Sequence, residues 1–153
     1  MHALELKVPP VVVVLITTSV MVVLAQAAPS LGFEMPARNG VALGLVLMGA
    51  AVAIAGVVAF RRAHTTVNPM QPQMSAALVQ SGPYRFTRNP MYLGMLLGLG
   101  GLGVWLSNVL ALLLLPAFVL YMNRFQIEPE ERALAAIFGG RFVTYRAAVR
   151  RWL

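Results

Sequence analysis

Residues 81–94, Ser-Gly-Pro-Tyr-Arg-Phe-Thr-Arg-Asn-Pro-Met-Tyr-Leu-Gly, set two arginines, two tyrosines and several turn formers between long apolar segments. Asn89-Pro90 reads as the N-cap and first residue of a helix, so the free N–H groups of that helix start would lie beside Arg88 and suit an anion. A second polar group, Glu130-Glu131, follows Pro129. Neighbouring helical residues point about 100° apart, so one of the two carboxylates can face a pocket shared with Arg88. Taken alone, that pair more simply favours a helix start through the helix dipole.

The remaining residues must hold these groups at a membrane surface. Of 153 residues 59% are hydrophobic and 11% charged, with a mean hydropathy of +0.75, which is the composition of an integral membrane protein. There is no cysteine, which excludes disulfides, thiolate metal sites and a cysteine nucleophile. His2 and His64 each stand alone, so no metal site is expected. The formal charge of +7 does not indicate nucleic acid, because the arginines stand at the ends of apolar segments rather than on one face of a soluble module. Arg61-Arg62 and Arg150-Arg151 read as membrane anchors, and Tyr145 and Trp152 as aromatics suited to the interface.

The expected fold is all-α, a multi-pass bundle of about four transmembrane helices forming one domain over residues 1–153. The expected spans are 8–28, 40–60, 90–106 and 109–123. Lys7 and Ala25-Gln26-Ala27 also fit a signal peptide, but the apolar run exceeds the usual core of about 7–15 residues. Residues 90–122 are too long for one straight span, and Ser107-Asn108 supplies a turn, so the last two helices form a hairpin. Pro116 is expected to bend the second of them. Gly44, Gly49, Gly94 and Gly98 are small enough for close helix packing or for a lateral gap.

Segments 61–89 and 124–153 lie outside these spans. The first is proline-rich but keeps the apolar patch Ala76-Ala77-Leu78-Val79, as an ordered loop covering something would. The second is amphipathic and divided at Gly139-Gly140. With both termini cytoplasmic, only Arg38 of the twelve Lys/Arg falls on the far side, so the polar segments face the cytoplasm of a cell (inner) membrane.

Gly82-Pro83-Tyr84-Arg85 and Arg88-Asn89-Pro90-Met91-Tyr92-Leu93-Gly94, followed by Glu130-Glu131-Arg132-Ala133-Leu134, Phe138-Gly139 and Tyr145, resemble the isoprenylcysteine carboxyl methyltransferase and phospholipid methyltransferase superfamily. The resemblance runs from about Thr65 to the C-terminus. Its members are small multispan enzymes that use S-adenosyl-L-methionine. In the prenylcysteine enzymes the residue at Asn89 is commonly His, and Phe142 is often Tyr in the superfamily pattern.

The resemblance implies that Pro83, Tyr84, Arg88, Asn89, Pro90, Tyr92, Leu93 and Gly94 bind this cofactor together with Glu130, Glu131 and Tyr145. Arg88 and the helix start suit its carboxylate, one glutamate its ammonium or ribose hydroxyls, and the tyrosines its adenine or sulfonium. It implies an isoprenylcysteine carboxyl O-methyltransferase-like enzyme that transfers a methyl group to a lipophilic acceptor, in the first place the carboxylate of an isoprenylcysteine-like or other prenylated substrate, with a phospholipid amine as the alternative. Arg85 or Arg146 would orient an acceptor carboxylate. The expected partners are the lipid bilayer and that acceptor, without nucleic acid or metal. A non-catalytic four-span transporter or sensor is the alternative from another class, although no expected span carries the ionisable residue that a proton-coupled transporter would bury.

Overall fold

A computed structural model describes residues 5–65, 68 and 70–153, so His2, Thr66 and Pro69 lie outside the described residues. The described chain is all helical apart from one isolated bridge. Its helices are α1 (Pro10–Ala27), α2 (Arg38–Arg62), α3 (Pro90–Leu106), α4 (Val109–Met122), α5 (Glu128–Phe138) and α6 (Gly140–Ala148). Pro10 and Pro90 open α1 and α3, where a missing N–H removes no helical bond. α1 and α2 are long and apolar enough to cross a membrane. So is the continuous rod 109–138, whose apolar part is α4, whereas α3 is a shorter apolar helix. Large apolar side chains such as Leu15, Leu47, Ile54, Leu113 and Leu120 point outward, as a lipid-facing surface requires.

α2 packs chiefly on α3, while α1 packs on α4 and α3. Glycine decides the closeness of the first pair. A Cβ on Gly49 would fall 2.5 Å from the Gly94 carbonyl oxygen, one on Gly94 would strike the Gly49 carbonyl, and one on Gly101 would lie 2.8 Å from the Ala42 oxygen. Gly49 and Gly94 therefore close the α2–α3 seam rather than opening a lateral gap, because side-chain-free backbones can touch. An added Cβ on Gly44 or Gly98 would meet nothing within 4 Å, although the Gly98 backbone nitrogen itself lies 3.1 Å from the Cβ position of Gly49. The second core, of Met21, Leu99, Ala111, Phe118 and Met122, fills the space among α1, α3 and α4.

The α3–α4 hairpin turns at Ser107-Asn108 as expected. Ser107 takes the left-handed conformation, and Asn108 caps α4 by accepting from the N–H groups of Leu110 (3.0 Å) and Ala111 (3.4 Å). The Asn108 amide also donates to the Ala28 carbonyl at 2.8 Å, and the Phe33 N–H donates to the Ser107 carbonyl at 2.9 Å, which ties the turn to the α1–α2 loop. α4 continues past Pro116 without a break.

The chain does not leave its helix at residue 123. Residues Asn123–Ile127 form one π-helical turn that joins α4 to α5. Pro129 lacks the N–H that would normally reach the Phe125 carbonyl, and the Leu6 N–H takes that acceptor instead at 3.0 Å. Glu5 adds ion pairs to Arg124 (3.4 Å) and Arg132 (2.7 Å), so the N-terminal segment grips the start of α5. Gly139, with φ +50°, breaks α5 from α6 where the glycine pair was expected to divide them. Phe142 of α6 is buried. The C-terminal strap returns across the π turn, where the Trp152 indole N–H donates to the Asn123 side chain at 3.0 Å and its ring packs on the core. Trp152 thus clasps the C-terminal strap to the π turn.

Candidate active site

The two polar segments come together at one end of the bundle, around a narrow, open-mouthed cleft. Tyr84, Arg88 and Asn89 enter from the segment before α3, Met91 and Tyr92 from its first turn, Glu130 and Leu134 from α5 and Tyr145 from α6. Phe60 at the end of α2 and Asn68, Pro72, Ser75, Ala77, Leu78 and Val79 of the long connection complete the lining. That connection covers the site as its composition suggested. Thr65 fastens it by accepting from the N–H groups of Ala76 (2.9 Å) and Ala77 (3.3 Å), and Val79 packs with Ala59 and Tyr84.

The neighbouring glutamates divide their roles as the 100° helical rotation requires. Glu130 lines the cleft and accepts from the Tyr92 hydroxyl at 3.1 Å. Burial pushes its carboxyl up to about 7, against the lowering effect of the Tyr92 hydrogen bond, and repulsion from Glu131 adds to the rise. Glu131 is turned to the arginines, 3.3 Å from Arg88 and held by a two-point fork from Arg151 at 3.2 and 2.8 Å. Burial also lowers the Arg88 guanidinium, with Glu131 opposing. The Nε and Nη1 atoms of Arg88 are buried and have no hydrogen-bond partner among the described residues.

The tyrosines stay protonated. Burial raises Tyr84 far above its usual range, with Glu130 and then Tyr145 adding to it, and burial pushes Tyr145 up to about 12 against the pull of Arg88. The Tyr145 hydroxyl donates to the Tyr84 carbonyl at 2.8 Å, so Tyr145 faces inward rather than towards a membrane interface. The Tyr84 ring packs at 5.2 Å from Phe60. Together they form an aromatic wall.

Among the sequence candidates, Tyr84, Arg88, Asn89, Tyr92, Glu130 and Tyr145 meet at the cleft, and Glu131 stands behind Arg88. Pro90, Leu93 and Gly94 are buried outside the lining; Pro90 lies against Gly56 and Gly94 against Gly49 of α2. Pro83 forms the short turn that delivers Tyr84. Arg85 is exposed and outside the lining, while Arg146 is exposed on a separate outer groove with Glu128, Glu131, Arg132 and Arg151. Asn89 occupies the N-cap of α3, but its side chain makes no capping bond. It donates instead to the Arg151 carbonyl at 2.9 Å, which draws the amide away from the helix start. Arg151 is an internal ion-pair partner and not merely an anchor, whereas Arg61 and Arg62 are exposed as anchors would be. His64 is exposed and does not line the cleft.

The sequence profile described as Phospholipid methyltransferase matches residues 37–141, about two-thirds of the chain and most of both cleft-forming segments. The chain belongs to the phospholipid methyltransferase family. An uncharacterized protein of Haemophilus influenzae is 46% identical over 63 residues, which are 41% of this chain and 100% of that protein. No solved structure gives a significant match. Membership in this family and the apolar helices make the chain a membrane methyltransferase-like protein.

Phospholipid methyltransferases generally use S-adenosylmethionine, which carries a carboxylate, an ammonium, a sulfonium, ribose hydroxyls and adenine. The donor set of the cleft fits such a group. Arg88 offers two buried, unpartnered N–H-bearing nitrogens, Glu130 a carboxylate on the same cleft, and Tyr84, Tyr92 and Tyr145 aromatic surface. The lining residues of the 68–79 connection carry no spacing signal, and only their mixed apolar and polar composition hinted at a cover.

Proposed function

We propose that this protein is an integral membrane S-adenosylmethionine-dependent methyltransferase acting on a lipophilic acceptor. The observation that carries the reading is the pair of unpartnered Arg88 nitrogens on a cleft that Glu130 also lines. An amino-acid moiety has one anionic and one cationic end, and these two side chains match them. Arg88 would bind the carboxylate, Glu130 the ammonium or ribose hydroxyls, and Tyr84 and Tyr145 would flank the adenine or sulfonium. Bound there, S-adenosylmethionine supplies an electrophilic methyl group on its sulfonium. The chain's contribution is alignment and exclusion of water.

For the acceptor, a phospholipid amine is favoured over an isoprenylcysteine-like carboxylate. Arg85 and Arg146, the arginines suited to orient an acceptor carboxylate, both lie outside the cleft lining, and Arg88 is assigned to the cofactor. Burial of an amine headgroup lowers its pKa and favours the neutral nucleophile. Its chains remain in the bilayer, because each CH₂ costs about 0.8 kcal/mol to bring into water. The charge distribution supports a cytoplasmic cleft with both termini on the inner side of the cell membrane. The test is methyl transfer from labelled S-adenosylmethionine in liposomes holding either aminophospholipid or a prenylcysteine analogue. Label in the aminophospholipid is expected; label only in the prenylcysteine analogue would reverse the acceptor assignment, and label in neither would defeat the enzyme reading.

A further inference from the structure

The C-terminal strap makes more contact with the functional segment than membrane anchoring needs. The Arg150 carbonyl accepts from the Arg88 N–H at 2.9 Å, and the Arg151 carbonyl accepts from the Asn89 amide at 2.9 Å and the Thr87 hydroxyl at 3.2 Å. The side chains on both sides of Arg88 are thereby pinned to the Arg151 carbonyl, and the Arg88 backbone itself to Arg150. The Arg151 side chain meanwhile takes both oxygens of Glu131, leaving Arg88 a single contact at 3.3 Å through Nη2. Arg88 and Glu131 are each only 11% exposed in their side chains, so water competes weakly for either.

We propose that Arg151 is a positioning residue that saturates Glu131 and so keeps Arg88 free to receive an anion. A buried carboxylate facing one arginine favours the two-point fork. Without the Arg151 guanidinium, Glu131 would claim a second nitrogen of Arg88 and occupy an edge that is now unpartnered. Arg151 thus outcompetes Arg88 for their shared partner. The inference rests on the cofactor reading of the cleft, and it predicts an unusual result: the defect from losing Arg151 is relieved by also neutralising Glu131.

The experiment is calorimetric titration of detergent-purified full-length protein with S-adenosylhomocysteine and with methylthioadenosine, which lacks the amino-acid portion. Arg151→Gln keeps the backbone carbonyl and should weaken S-adenosylhomocysteine binding at least about tenfold while changing methylthioadenosine binding less than about threefold. The Arg151→Gln/Glu131→Gln double variant should return S-adenosylhomocysteine affinity to within about threefold of the original. Arg151→Lys, which keeps the charge without the fork, should fall between and carries the comparison should Arg151→Gln fail to fold. Unchanged S-adenosylhomocysteine affinity in folded Arg151 variants, an equal loss for both ligands, or a double variant no better than the single one would overturn the proposal. Failure of the unsubstituted protein to bind S-adenosylhomocysteine would instead overturn the cofactor reading, and this inference with it.

Discussion

Replacing Glu130 with glutamine should remove a pH-dependent loss of stability. Burial moves the folded-state carboxyl from 4.5 to about 7, so between those values the folded protein holds a proton that the unfolded chain releases. Stability from this group is therefore greatest at acid pH and falls as pH rises towards about 7, at about 1.4 kcal/mol per pH unit. Over the full interval the loss reaches at most about 3 kcal/mol, reduced by whatever solvent screens the cleft. Glutamine preserves an acceptor for the Tyr92 hydroxyl but has no proton to lose. The assay is thermal unfolding of both proteins in one detergent from about pH 5 to pH 8, read as the difference between them so that other titrating groups cancel. The variant's advantage should grow with pH and level off above about 7. A constant difference, or one that shrinks with rising pH, would refute the assignment of a raised, buried Glu130 carboxyl.

The two adjacent glutamates should separate by ligand affinity. Glu130→Gln should weaken S-adenosylhomocysteine binding about tenfold or more, whereas Glu131→Gln should mainly lower the melting temperature by leaving Arg88 and Arg151 without their shared carboxylate charge; calorimetry and thermal unfolding on the same samples check this. Gly94→Leu should destabilise the protein by at least about 1–3 kcal/mol, because the new side chain meets the Gly49 carbonyl and the Ala53 Cβ, while Gly98→Leu should be nearly neutral in the same melting assay. Asn108→Ala should cost about 1–3 kcal/mol by the same measurement, since a buried side chain that caps α4 and binds the Ala28 carbonyl is lost.

The helices were legible because each depends on runs of neighbouring residues. Pro90, the Ser107-Asn108 turn and Gly139-Gly140 mark their boundaries through local backbone rules, and the observed boundaries follow them. Separation of Glu130 from Glu131 was legible for the same reason, since helical rotation alone forbids both from facing one cleft. Features that depend on distant partners were not. Asn89 has the right chemistry for a cap, yet its amide is claimed by a carbonyl 62 residues away. The Leu6 N–H arrives to take the Phe125 carbonyl that Pro129 cannot bond, and no local pattern announces that arrival. Arg151 likewise carries the signature of a membrane anchor, and only the fold brings Glu131 beneath it.

The most direct test of the account is calorimetric titration of the detergent-purified protein with S-adenosylhomocysteine, alongside Arg88→Ala and the exposed control Arg61→Ala. Arg88 contributes buried N–H donors to the cleft, so Arg88→Ala should lose more than about tenfold in affinity, about 1.4 kcal/mol, while Arg61→Ala binds like the original. No binding to the original protein at about millimolar ligand, where the binding free energy would be weaker than about −4 kcal/mol, or equal losses in the two variants, would contradict the placement of a cofactor site around Arg88.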